Sequence, residues 1–206
     1  MIIGWLCGLR SGRVTVPITV TGAWKWNVRP DGFTPTWIVI HHSFSSDGVT
    51  RDYNAIRKYH MSYRHNGDII TKDQYDYLVS EGATKGLEKP WTNIGYHFVV
   101  EKIGENVEVI GGRAIGEVGA HCRWFNDKSI GICIIGNYDS VAPDSDRLFT
   151  ATSLVRQLCR EFSIPNDQVI GHRESYPILK VPVEKSCPGT LFDMDKFRAQ
   201  VKGVTV

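Results

Sequence analysis

The run Trp37-Ile38-Val39-Ile40-His41 constrains the fold more than any other segment, because it is apolar at both odd and even positions. A strand sends alternate side chains to opposite faces, so a run of this kind has no face to give to water. It is expected to be buried on both faces of a sheet. Neighbouring strands are expected at Tyr96 to Lys102, Val107 to Ile110, Ser129 to Ile135 and Val169 to Gly171, with Gly104-Glu105-Asn106 as the turn between the first two. Helical spacing appears from Asp52 to His60, where Tyr53, Ile56, Tyr59 and His60 recur. It appears again in Leu154, Val155, Leu158, Cys159 and Phe162, on a segment that Thr150 is placed to cap and Pro165 to end, and in Phe197 and Val201 after a cap at Asp193. The expected class is therefore α/β, a central mixed β-sheet flanked by α-helices.

With 206 residues, no internal repeat and no low-complexity linker, one core and one domain are expected. Residues 1–35, where Gly, Pro, Thr and Val surround Trp24 and Trp26, read as an N-terminal extension packed on a domain spanning 36–206. Within that domain the polar stretch 62–90, with Gly67, Gly82, Gly86 and Pro90, reads as an insertion, and excursions of this length are usually functional or mobile. A hydrophobic content of 42% with 22% charged residues argues against a disordered chain. No stretch reaches the roughly 20 apolar residues of a membrane span. A net charge of +2 is far from a nucleic-acid footprint, so no nucleic acid is expected as a partner, and a monomer is expected. No cationic region precedes the short apolar run from Met1 to Leu9, so the expectation is a protein made in the cytoplasm without a signal peptide. The five cysteines, at 7, 122, 133, 159 and 187, are odd in number and form no CxxC pair, which argues against a disulfide framework and a four-cysteine zinc site. Cys133 and Cys159 sit in apolar patterns and read as core thiols.

Seven histidines stand at 41, 42, 60, 65, 97, 121 and 172, several at strand ends or in Gly-bounded loops where side chains can converge. A catalytic zinc takes three protein ligands and keeps a fourth position open, and His/His/Cys is a chemically sensible set. His41, His172 and Cys187 are the candidates. Taken one at a time, a histidine at a strand end is more often a hydrogen-bonded structural group, so the residues alone leave the assignment open.

Six motifs change that balance. Ile38-Val39-Ile40-His41-His42-Ser43, Asn93-Ile94-Gly95-Tyr96-His97-Phe98 and Gly119-Ala120-His121 are followed by Asn126-Asp127-Lys128-Ser129-Ile130-Gly131-Ile132, Gly171-His172-Arg173 and Lys185-Ser186-Cys187-Pro188-Gly189. In this order, from Trp37 to Val201, the chain resembles the type 2 N-acetylmuramoyl-L-alanine amidase superfamily, which includes T7-type phage lysozymes and peptidoglycan recognition proteins. Trp26 and Arg29-Pro30 are similar to the segment ahead of the first strand in the recognition proteins. The resemblance implies that His41, His172 and Cys187 hold a zinc ion, and that Tyr96 and Lys185 assist catalysis. It also implies that the substrate is bacterial peptidoglycan, cut between N-acetylmuramic acid and L-alanine. Strand alternation lets only one of His41 and His42 face such a site, and the resemblance selects His41.

Beside the expected cleft, His121 and Asn126 are expected to contact substrate, His97 to be structural, and Arg173 to brace its loop through a salt bridge. A wall hydrolase without a signal peptide is expected to reach the wall through a separate lysis or export system, as a phage or prophage endolysin does. Two rivals carry different chemistry: a recognition protein that binds without cutting, which lacks the ligand cysteine, and a cytoplasmic recycling amidase, which looks to use an aspartate there. Two departures stand out. The insertion 62–90 exceeds its counterpart in compact phage enzymes, and fifteen positions separate His172 from Cys187, so Ile178 to Glu184 is expected to bulge outward.

Overall fold

The computed structural model describes residues 20–21, 34–45 and 52–203. Apart from Val20, Thr21 and residues 34–35, the expected extension 1–35 lies outside the described residues. In chain order the elements are β1 Val20–Thr21, β2 Trp37–His42, α1 Asp52–His60, β3 Tyr63–His65, β4 Asp68–Ile70, α2 Lys72–Ser80, β5 Leu87–Glu88, β6 Phe98–Ile103, β7 Asn106–Gly111, β8 Ser129–Ile134, α3 Ser145–Phe162, β9 Val169–Gly171, α4 Ser175–Leu179 and α5 Met194–Lys202. The main sheet runs β1-β7-β6-β8-β2-β9. Every pairing in it is parallel except the β6–β7 hairpin, so the sheet is mixed, as expected from the sequence.

The apolar run of β2 lies between β8 and β9, and Ile38, Val39 and Ile40 are all fully buried. Its register pairs Ile40 with both Ile132 and Gly171, and His41 with Cys133. Even positions of β2 and β8 (Ile38, Ile40, Ile130, Ile132, Ile134) enter one large core with Phe98 and Val100 of β6. That core is closed by Ala151, Leu154, Val155 and Leu158 of α3 and by Met194, Phe197 and Val201 of α5. Odd positions face the other way, into two smaller clusters. One holds Val39, Ile170, Cys122 and Phe125, the other Val99, Cys133, Ile135 and Ile94 with Tyr53 and Ile56 of α1 against them.

The start of α3 differs from the sequence expectation. Its cap is Asp144, whose Oδ1 accepts from the Arg147 amide at 2.8 Å, and Thr150 sits inside the helix. The apolar face begins earlier than the Leu154 pattern indicates, because Arg147 and Ala151 are buried as well. Ser163, in the left-handed region at φ 53°, ends the helix.

Residues 62–90, expected to be an insertion, are folded. Strands β4, β3 and β5 form a three-stranded antiparallel sheet, and Thr71 and Gln74 make a capping box at the start of α2. Strands of two or three residues leave no legible period, which is why the sequence shows only a polar stretch. Arg64 roots this unit: at 1% exposure, its guanidinium lies over the rings of Tyr59 and Trp91 and donates to Glu88 at 2.6 Å.

Candidate metal centre

Strand alternation puts His41 on the odd face of β2, while His42 turns to the even face, where its Nδ1 accepts from the Tyr138 amide at 3.2 Å. Because Ile40 pairs with Gly171, the residue after β9, His172, emerges beside His41, and the two rings are 4.8 Å apart. Glu174 fixes the turn that aims it: its Oε2 accepts from the Gly171 amide and from Arg198, both at 2.8 Å. The Tyr176 ring stacks on His172 at 5.9 Å with an interplanar angle of 6°.

Cys187 reaches the same point from a different direction. The residues between it and His172 form α4 and then an irregular stretch to Ser186, and Ile178 of α4 and Val183 of the stretch are exposed. Arg173 pins the returning loop. Its amide donates to the Cys187 carbonyl at 2.7 Å, and its guanidinium donates to the carbonyls of Ser186, Gly189 and Phe192. The brace thus consists of backbone carbonyls, where the sequence led us to expect a salt bridge. Asp139 holds the loop from the other side, accepting from Ser186 Oγ at 2.6 Å and from the Thr190 amide at 2.7 Å. Gly189 is required at φ 115°, where a Cβ would meet the Tyr138 backbone at 2.4 Å.

The result is a buried trio. The ligand atoms of His41, His172 and Cys187 all lie within 4.8 Å of one another, with Cys187 Sγ 3.6 Å from His41 Nδ1. Zinc bonds of about 2.0–2.1 Å to nitrogen and 2.3 Å to sulfur, in tetrahedral geometry, place an N and an S donor about 3.5 Å apart, so this pair matches the donor spacing. The protonation states suit a cation as well. Burial, then His172 and His121, hold His41 well below its ordinary value, and burial with the charge of Lys185 lowers His172 to about 4, so both imidazoles keep a lone pair at neutral pH. Burial pushes the Cys187 thiol up to about 12, although the His42 amide donates to it; a divalent cation reverses that preference, since the thiolate is the ligand form.

Around the trio stand the other residues singled out from sequence. Tyr96 lies just ahead of β6, its ring 5.2 Å from that of His41. Burial first, then the nearby thiols of Cys133 and Cys187, raise its phenol well above the ordinary value. Lys185 is exposed, yet its charge acts on His41, His172 and Cys187. His121 Nδ1 lies 3.0 Å from His41 Nε2. Asn126 turns inward on its own loop, its Oδ1 accepting from the amides of His121 and Cys122 at 2.8 Å each. His97 bridges strands and loop: Nδ1 accepts from the Gly131 amide at 3.0 Å, and Nε2 is 3.0 Å from the Glu117 carbonyl.

Two residues near the site escaped the sequence reading. Cys133 is fully buried, as an apolar pattern implies, but it also sits beside His41 in the register and within reach of the Tyr96 hydroxyl. His60 closes α1, accepting from the Gly95 amide at 3.1 Å, with its ring 4.5 Å from Trp91 and 5.9 Å from Tyr96. Its helical spacing was visible, but not which neighbour it meets.

Comparison with known proteins points the same way. The family model for N-acetylmuramoyl-L-alanine amidase matches residues 31–190. An endolysin of Enterobacteria phage K11 is 27% identical over 130 residues, 62% of this chain and 78% of that protein. Peptidoglycan-recognition protein LB of Drosophila melanogaster is 32% identical over 104 residues, and the match spans 50% of this chain and only 40% of the fly protein. Among solved structures, the endolysin LysCS from Clostridium intestinale URNW superposes with a TM-score of 0.55 at 22% identity, covering 90% of this chain and 94% of that one. The Ph2119 endolysin of a Thermus scotoductus bacteriophage does so with a TM-score of 0.54 at 20% identity, covering 87% and 90%. At these identities the structural matches establish a shared fold.

Proposed function

The chain belongs to the N-acetylmuramoyl-L-alanine amidase family, and on that footing we propose that it is a zinc-dependent peptidoglycan amidase, cutting the amide between N-acetylmuramic acid and L-alanine. The observation that carries this reading is the convergence of His41, His172 and Cys187 on one point. Zinc held there would supply Lewis-acid activation of water and of the scissile carbonyl at neutral pH.

The chain's own residues do the rest. His41 and His172 offer neutral lone pairs, and the clamps from Arg173 and Asp139 hold the third donor in place. The Lys185 ammonium is near enough to favour the negative charge that develops on the lactyl oxygen, a contribution of about 10² to 10³ in rate for one aimed donor. Tyr96 keeps its proton at neutral pH and serves as a hydroxyl donor that orients water. The loop from Gly119 to Asn126 is tied down through the His121 and Cys122 amides, which seats the His121 ring beside His41. Relatives named as phage endolysins support the further reading that this is a phage or prophage lysin released by a separate system.

The rival reading, a recognition protein that binds without cutting, is disfavoured by a cysteine seated 3.6 Å from His41. Amine release from purified peptidoglycan tests the choice. Zinc-loaded protein should release amines and Cys187→Ala should not; release by Cys187→Ala equal to that of the unmutated chain contradicts the assignment.

A further inference from the structure

We propose that His121 is a positioning residue for His41: it accepts the hydrogen bond that turns His41 Nδ1 toward Cys187 and His172, and it serves the metal ligand instead of contacting substrate. This rests on the reading that the trio holds zinc.

The two ring nitrogens of His41 have different neighbours. Nδ1 is 3.6 Å from Cys187 Sγ, and Nε2 is 3.0 Å from His121 Nδ1. A neutral imidazole carries one proton, so an Nδ1 that offers its lone pair to a metal leaves the proton on Nε2. His121 Nδ1 must then be the acceptor. Metal-binding histidines usually donate their second N–H to a carboxylate, carbonyl or water, which fixes the ring and its tautomer. Here another imidazole takes that place.

That acceptor is itself immobilised. A Cβ on Gly119 would stand 2.5 Å from the His121 ring, and one on Gly131 would stand 2.4 Å away, so two glycines in different motifs leave the slot the ring occupies. Asn126 holds the His121 amide, and His97, 5.7 Å away ring to ring, is bonded to Gly131 at the edge of the slot. The polar atoms also argue against a substrate contact. His121 Nδ1 is engaged by His41, and Nε2 is shielded from solvent and turned toward the Ser129 backbone. A side chain whose two ring nitrogens both face protein is poorly built to read a muropeptide, and well built to hold a neighbouring ring.

Zinc affinity, measured by competition with a chromogenic chelator, separates the roles. His121→Phe keeps a ring in the slot but removes the acceptor, and should weaken zinc binding about 10- to 100-fold. His121→Gln, whose amide oxygen can accept, should recover part of the loss. With zinc saturating, KM for peptidoglycan should stay within about threefold of the unmutated chain in both variants. Melting curves of the metal-free proteins confirm that each variant folds. Unchanged zinc affinity in a folded His121→Phe overturns the inference, and does so most clearly if KM rises. If the unmutated chain fails to bind zinc, the proposed function falls with it; if it binds and only the His121 variants are unaffected, this inference alone falls.

Discussion

On one face of the central sheet Ile38, Ile40, Ile130, Ile132 and Ile134 merge with α3 and α5 into a continuous apolar core. On the other, the residues one position away differ: Val39 and Cys133 enter two small clusters and Gly131 leaves room for the His121 ring, with His41, His121 and His172 gathered beside them. The strands are the same, and only parity differs. Even positions bury area against helices, where each large side chain stabilises the fold; odd positions carry polar groups whose orientation is fixed by hydrogen bonds and by glycine-sized gaps. Stability and chemistry are thereby assigned to opposite faces, and substitutions on each face should report on different quantities.

The largest effect is expected from Cys187→Ala, on the odd face. Turnover should fall by about 10³-fold or more, since the proposed zinc would lose a ligand and the water its activation. The metal-free protein should melt near the temperature of the unmutated one. Phe197→Ala, against the even face and 1% exposed, should do the reverse. Urea denaturation should register a loss of about 3–5 kcal/mol, with one zinc still bound per folded molecule. A large loss of zinc from folded Phe197→Ala would break the separation of faces. Lys185→Ala comes next, with kcat down about 10²-fold at unchanged zinc content.

Acid stability gives a smaller and graded test. Burial lowers His60 and His97 to about 4, from an ordinary 6.5, so between these values the unfolded chain binds more protons than the folded one. Stability of the metal-free protein should therefore be full above about pH 6.5, fall as the pH drops toward about 4, and lose nothing further from these groups below that. Urea midpoints across this range check it, and His97→Gln should flatten part of the slope. The smallest effect is expected at the α3 cap, where Asp144→Ala should cost about 1 kcal/mol and leave activity untouched.

The parts legible from sequence were those that local pattern decides. An apolar run on both parities marked β2 as an interior strand buried on both faces, and alternation allowed only one of His41 and His42 onto the site face. What escaped depends on contacts between distant segments. No single strand reveals that β2 and β8 pair in the register that sets Cys133 beside His41. The direction of His121, and the use of backbone carbonyls by Arg173, arise only when loops from opposite ends of the chain meet. The start of α3 lies ahead of Thr150 because Asp144 caps it and the buried face already includes Arg147 and Ala151, upstream of the Leu154 pattern. The fold of residues 62–90 was not legible, since its strands are too short to show a period.

The central claim is that the trio on the odd face cuts one particular amide, and mass spectrometry of purified peptidoglycan digested by the zinc-loaded protein tests it most directly. The account requires stem peptides released with a free L-alanine amino terminus, glycan strands left uncut with their lactyl carboxylates exposed, and neither product after chelation. New reducing ends in the glycan, cleavage within the stem peptide, or full release by the metal-free protein would contradict it.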